Sequence, residues 1–445
     1  MSLFSTGPQH LAINPYEAIT TGRLKILLVS NICPPDYDGG YELRAFQIAK
    51  ALRERGHDLD FVTSQYRSTF QGERKNPDWV HRIFHYVLVS NSKTAWRYVD
   101  RIPKRIACTS VAAENIPRME RFLVGRKYDL AYCFGLQRIS LATVAPIVQR
   151  GIPILWHAGD GYIANHFYHW PKSVLGYELG LNLFARKWYF LEKKLDYRYV
   201  AFVSRFLRDE CYRKGFQPKK SFIIPRGFDG PLGWDVDRSK ANPPLFFMAC
   251  RIDPHKGIHH AIEAASLLKS RRPDLDWRLE IAGVAYSGYK EKLIAQSTQL
   301  GIQDRIIFLG QVPRAEVLAK TCASVAFLSC STYGEPFAGT IIETLASGTT
   351  LIGANAGSIL EVATPNKSAL IYEIGDIATL STHPETVLTD RVVREQLAFE
   401  GVKVIEQRYT LDLILDQTEQ TFLDVMSDHK EGHERFIAAE DFNLV

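Results

Sequence analysis

The chain has 445 residues, with an apolar content of 46% and a charged content of 23%. That is too long for one ordinary domain and predicts two of about 200 residues each, in a globular rather than a disordered or fibrous protein. The net charge of +5 permits weak attraction to phosphates or anionic membrane surfaces but gives no argument for a nucleic-acid partner.

Residues 1–21 lack a basic segment followed by an apolar core, so no signal peptide is expected there. No apolar run approaches the roughly 18 residues that span a bilayer. The 13 histidines fall into no metal-ligand spacing, and the 7 cysteines contain no C-x-x-C pair. Cys133 and Cys250 lie in apolar runs and read as small buried hydrophobes of a reducing compartment. A cytoplasmic protein is expected.

From residue 24 onward, short apolar strands alternate with amphipathic helices. A strand over 24–29 leads into a turn-rich loop with Pro34, Pro35, Gly39 and Gly40. Next comes a helix over 42–55, stopped by Gly56. Further strands are expected over 59–63, 83–89, 130–134, 154–156, 200–203 and 222–224, and helices over 111–124, 139–149, 181–195 and 206–214. Residues 227–244 are rich in Gly, Pro, Asp and Asn and read as a linker. Beyond it, strands are expected over 245–249, 278–282, 306–309, 324–328 and 351–353, and helices over 258–271, 289–300 and 314–322. The rhythm predicts an α/β chain of two doubly wound, Rossmann-like parallel sheets with a ligand cleft between them. The expected units are 22–230 and 244–410, with a helix over 411–427 that packs back across the linker.

Four clusters follow predicted strands, where a doubly wound sheet places its site. Gly39-Gly40 would let a ligand approach the backbone at a helix start, although a Gly pair alone suits a plain turn equally well. His157, in Trp156-His157-Ala158-Gly159-Asp160, could reach a substrate hydroxyl or be a satisfied structural histidine. Arg251 and Lys256 put two cations in one strand-to-helix loop, which a diphosphate needs and a surface ion pair would also explain. The most informative stretch is Glu335-Pro336-Phe337-Ala338-Gly339-Thr340-Ile341-Ile342-Glu343. It reads as a loop acid, a helix start and a second acid on a helix apolar nearly all round. A carboxylate on such a helix must pair or face a cleft. An anion at that helix start, flanked by carboxylates, suggests a phosphate-bearing polyol such as a nucleotide sugar.

Glu335 to Glu343, with Arg251 and Lys256-Gly257 upstream, resembles the retaining nucleotide-sugar glycosyltransferases of family 4 (glycosyl transferases group 1), which have the GT-B fold. Gly39-Gly40 resembles that family's glycine loop and His157 its histidine in the N-terminal domain. Ser204 with Arg208, Ile224 to Asp229, Ile281-Ala282-Gly283 and Phe308-Leu309-Gly310 extend the similarity along almost the whole chain. The resemblance implies transfer of a hexose from a nucleoside-diphosphate sugar, with UDP expected on family frequency, to a saccharide, lipid-linked or small-molecule acceptor. It also implies retention of configuration and no metal or other cofactor. In it, Arg251 and Lys256 hold the diphosphate, and Glu335 and the backbone around Phe337, Ala338, Gly339 and Thr340 hold the sugar. Glu343 holds the ribose, Gly39 and Gly40 border the donor, and His157 sits beside the sugar. Arg226 stands where the family usually has Asn, Ala356 replaces a Gly, and Thr350 replaces a Pro.

Two other readings stay open: a non-transferring GT-B enzyme such as a UDP-sugar epimerase, and a nucleotide-sugar-binding subunit without turnover. A dehydrogenase is poorly supported, because no strand is followed by G-x-G-x-x-G. Residues 96–105, 162–170 and 186–189 are dense in aromatic and basic side chains. They read either as a contact for a lipid-linked or membrane-surface acceptor at the cytoplasmic face, or as a solvated, partly packed surface. The sequence is silent on oligomeric state.

Overall fold

The computed structural model describes residues 22–36, 40–67, 76–88, 101–167, 186–233, 243–285 and 288–431. The first sheet holds β1 (Lys25–Ser30), β2 (Asp58–Ser64), β3 (Val80–Phe84), β4 (Leu130–Phe134), β5 (Ile154–Ala158), β6 (Tyr199–Phe202) and β7 (Lys220–Ile223), in the order β3-β2-β1-β4-β5-β6-β7. The second holds β8 (Leu245–Ala249), β9 (Arg278–Ala282), β10 (Ile306–Gly310), β11 (Ala326–Ser329), β12 (Thr350–Ala354) and β13 (Leu370–Tyr372), in the order β10-β9-β8-β11-β12-β13. All pairings are parallel. This is the predicted architecture of two doubly wound sheets.

The physical cause is burial on both strand faces. Every residue of β4, β5 and β12 is buried, which only helices on both sides can supply. One core of the first sheet joins Val29, Cys133 and Trp156 to the helix Ala112–Leu123, and the opposite core joins Leu28, Tyr132 and Leu155 to the helix Gly40–Glu54. Strand order reverses between β1 and β4 and again between β8 and β11. Such reversal points open crevices at the carboxyl ends of the strands.

Several boundaries differ from expectation. The strand expected over 83–89 is Val80–Phe84. It pairs with β2 from Phe61↔Val80, so the apolar residues 86–88 lie beyond its end. The helix expected over 139–149 splits into a 3-10 turn, Leu141–Val144, and a short helix, Ala145–Gln149. Pro146 near that boundary has no N–H to carry one continuous ladder. The helix expected over 181–195 is described as Arg186–Lys194, and residues 181–185 lie outside the described residues.

The described part of the 227–244 stretch is clamped rather than loose. Phe228 N donates to Tyr409 O at 2.7 Å, and Leu411 N donates to Phe228 O at 2.8 Å. Gly227 permits this approach, because a Cβ there would meet the Leu411 backbone at 2.8 Å. The helix Leu411–Glu431 then buries Ile414, Leu415, Phe422 and Val425 in the core that covers β1 and β4 of the first sheet.

Candidate active site

A cleft of about 600 Å³ opens at both reversal points, lined from both halves of the chain. Its floor is built by two loops. After β8, Asp253 accepts a hydrogen bond from His255 N at 2.9 Å and caps a 3-10 turn over Pro254–Lys256. Gly257 ends that turn at φ +61°, and a Cβ there would collide with the Cys330 carbonyl. After β11, Thr332 N donates to His255 O at 2.8 Å, tying the second loop to the first. The result brings Lys256 Nζ to 2.5 Å from Glu335 Oε1, with both side chains largely buried. Ser331 Oγ donates to the same carboxylate oxygen. Burial alone would lower the Lys256 pKa, but the adjacent Glu335 carboxylate more than reverses this and keeps the ammonium charged.

The helix Gly339–Ala346 begins at the cleft. Ile341, Ile342, Leu345 and Ala346 bury it against β11 and β12, which fixes its axis. Ala338, at its N-cap, supplies no side-chain cap, so the first-turn N–H groups end at the cleft wall formed by Phe337, Ala338, Gly339 and Thr340. Glu343, one turn in, is 8% exposed, and its Oε1 accepts from Arg226 Nη2 at 3.0 Å and Arg314 Nη2 at 2.6 Å. Arg251, also on the wall, points outward and is 60% exposed, with its Nε 3.7 Å from Asp253. The cleft-lining charges are Arg44, Arg226, Arg251, Lys256 and Arg314 against Glu335 and Glu343, an excess of cations.

The structure thus gathers Gly40, Arg251, Lys256, Glu335, Phe337, Ala338, Gly339, Thr340 and Glu343 around one space. Gly39 lies outside the described residues.

His157 differs from the expectation that it borders the sugar. It is 0% exposed and does not line the cleft. Its ring stacks on Phe134 at 4.5 Å, and its Nδ1 is 2.7 Å from Tyr132 OH. Its Nε2 is buried with no hydrogen-bond partner among the described residues. Tyr41, which does line the cleft, donates its hydroxyl to the His157 carbonyl, and its ring lies 6.1 Å from the imidazole. Gly159 makes room for Tyr41, since a Cβ there would overlap the tyrosine ring. Burial, followed by the charge of Arg44, holds His157 well below the usual histidine range, so the imidazole is neutral near pH 7.

Sequence reasoning missed Tyr41, Ser331 and Arg314, and saw Arg226 only as an odd residue in its turn. Arg314 carried a usable signal: it is a cation at a strand-to-helix junction, as Arg251 and Lys256 are. Tyr41 carried none, because its place depends on Gly135 and Gly159 from distant strands. The 7 cysteines form no disulfide. Burial pushes the cleft thiols of Cys250 and Cys330 up to about 12, which fits inert packing residues.

Two family models match the chain: glycosyltransferase family 4 over residues 38–230 and glycosyl transferases group 1 over residues 235–403. The chain is 23% identical over 414 residues to N-acetyl-alpha-D-glucosaminyl L-malate synthase of Bacillus anthracis, covering 91% of this chain and 99% of that protein. It is 24% identical over 404 residues to phosphatidyl-myo-inositol mannosyltransferase of Mycobacterium leprae, covering 87% and 94%. Among solved structures, sucrose-phosphate synthase of Thermosynechococcus elongatus superposes with a TM-score of 0.65 at 17% identity, over 91% of this chain and 100% of the other. The Anabaena protein HepE, solved with UDP and glucose, gives a TM-score of 0.61 at 18% identity, over 90% and 100%.

Proposed function

The chain belongs to the family 4 glycosyltransferases (glycosyl transferases group 1) of GT-B fold, and we propose that it moves a hexose from a UDP-sugar to an acceptor hydroxyl with retention of configuration. The observation that carries the reading is the Lys256–Glu335 pair, set beside the start of the helix Gly339–Ala346 in a cation-rich cleft. Lys256 and Arg251 offset the charge of the departing diphosphate, a role a metal could otherwise take. Glu335 grips the sugar hydroxyls, assisted by the backbone N–H groups of residues 337–339. Glu343 takes the ribose. In the transfer, the bond from the anomeric carbon to the phosphate oxygen breaks, and the acceptor oxygen bonds from the same face. The leaving phosphate receives the acceptor's proton. Partial positive charge on the sugar ring lies close to the Glu335 carboxylate, where it is stabilised.

Family frequency and the UDP-bound structural neighbour support UDP over other bases. The relatives' names include an N-acetyl-alpha-D-glucosaminyl L-malate synthase and a phosphatidyl-myo-inositol mannosyltransferase, so the acceptor class stays at a glycan, a lipid-linked sugar or a small molecule. Among the described residues no helix is long and apolar enough to cross a membrane.

A thermal-shift screen across UDP-, GDP-, ADP- and TDP-sugars tests the donor. UDP-sugars should raise the melting temperature by mass action, and a rise with another base alone would replace UDP. Glu335→Ala and Lys256→Ala should each lower transfer by about a hundredfold or more while the protein stays folded. Near-normal turnover in either variant would remove these residues from their roles.

A further inference from the structure

Arg226 sits in the turn after β7, in the first half of the chain, yet its guanidinium reaches the second half. Nη2 donates to Glu343 Oε1 at 3.0 Å. A Cβ on Gly339, the first residue of the site helix, would overlap the guanidinium. A Cβ on Gly40, the first residue of the helix Gly40–Glu54, would stand 3.4 Å from Arg226 Nη1. Two helix N-termini therefore converge on one largely buried cation, which is 16% exposed.

Each of those termini carries a partial positive charge, so the arrangement brings three like charges to one point. Glu343 does not balance them, because the same carboxylate oxygen also accepts from Arg314 Nη2 at 2.6 Å. One negative charge thus serves two guanidinium groups. A buried cation in such surroundings is costly unless an anion shares the point. The turn is not free to carry Arg226 away: Arg44 Nη2 donates to Ile224 O at 2.7 Å and Pro225 O at 2.8 Å just before it, and Phe228 N donates to Tyr409 O at 2.7 Å just after it.

We propose that Arg226 is a third ligand of the donor diphosphate, supplied from the first half of the chain, and that it exchanges Glu343 for phosphate oxygens when the donor binds. A guanidinium presents a planar fork that matches two phosphate oxygens, and the first-turn N–H groups at Gly339 and Gly40 complete an anion site. The exchange also serves the other end of the nucleotide: Glu343, released from Arg226 and still held by Arg314, is left to accept ribose hydroxyls. The cleft would then close around the diphosphate through a residue of one half and a helix start of the other. This inference rests on the donor reading above.

The test is calorimetric binding of UDP, UMP and uridine to the wild-type protein, Arg226→Asn and Arg226→Lys. Arg226→Asn should weaken UDP by about ten- to a hundredfold, the loss of one charge-assisted hydrogen-bonded contact, while changing uridine by less than about threefold. Arg226→Lys, which keeps the charge and loses the fork, should fall between. Equal losses for UDP and uridine would overturn the inference, because Arg226 would then only position Glu343. Unchanged UDP binding in Arg226→Asn would overturn it as well. If Arg226→Asn does not fold, Arg226→Lys binding UDP as the wild type does, with no loss of the bidentate contact, would count against it. Failure of the wild-type protein to bind any nucleoside diphosphate (GDP, ADP and TDP included) would instead overturn the donor reading itself.

Discussion

Two residues at the cleft show how much a side chain's neighbours alter its chemistry. The imidazole of His157 lies under Tyr41 and against Phe134, neutral and sealed from solvent. To touch a sugar it requires Tyr41 to swing out of the space between Gly135 and Gly159. Diethyl pyrocarbonate, read by mass spectrometry, should leave His157 unmodified in the wild-type protein and label it in Tyr41→Ala. Labelling of the wild type at a rate like that of the exposed histidines would show that Tyr41 does not cover it. Glu343 presents the opposite case. Its burial on an apolar helix is legible in the sequence as a demand for a partner, but the partners, Arg226 and Arg314, come from separate loops and are legible only in the fold.

At the scale of elements, the last helix is held by charge as well as by packing. Phe422 meets Tyr132 edge to face at 5.2 Å. Around it, Arg55 bonds Asp412, Asp416 and Glu419, while Glu419 Oε1 lies 3.0 Å from His57 Nε2. Asp428 receives Lys219, Lys220 and the Tyr199 hydroxyl. Hydrogen bonds from Lys220 and then Tyr199 hold Asp428 well below the usual carboxylate range. Burial raises Glu419, but the His57 hydrogen bond and the Arg55 charge more than offset it and leave it lowered. Both folded-state values lie below the unfolded ones. The stability they contribute is therefore fully present above the ordinary carboxylate pKa and is lost as pH falls through the depressed values. Urea unfolding should show a loss of stability between about pH 5 and pH 3 that is smaller in Asp428→Asn than in the wild type. An identical loss in both would remove Asp428 from this role. The helix itself is legible in its apolar spacing; its acidic residues become meaningful only once Arg55, His57, Tyr199, Lys219 and Lys220 lie beside it.

Across the whole molecule, the two halves are joined by directed contacts beyond the cleft charges. Glu361, in the second half, accepts from Arg205 N at 2.9 Å and Phe206 N at 2.7 Å, capping the helix Arg205–Arg213 of the first half. Ser204 Oγ, at the N-cap of that helix, donates to Pro336 O at 2.6 Å, one residue beyond the catalytic candidate Glu335. Phe337 packs against the cores of both halves. Glu361→Ala should remove about 1–3 kcal/mol of this coupling, seen as a lower melting temperature and a larger radius of gyration by small-angle scattering. An unchanged scattering profile and melting temperature would mean that the cap does not set the closure.

The sequence alone determined the two parallel sheets, because fully apolar runs of strand length alternating with helices have few other ways to bury both faces. It also placed the loops of Arg251, Lys256 and Glu335 at strand ends and Glu343 on the helix that follows, since that placement follows from local order along the chain. Tertiary structure alone decided which charge faces which: that Lys256 pairs with Glu335, that Arg226 crosses between halves to Glu343, and that Tyr41 covers His157. Those outcomes depend on distances between residues far apart in the chain, and local periodicity carries no information about them.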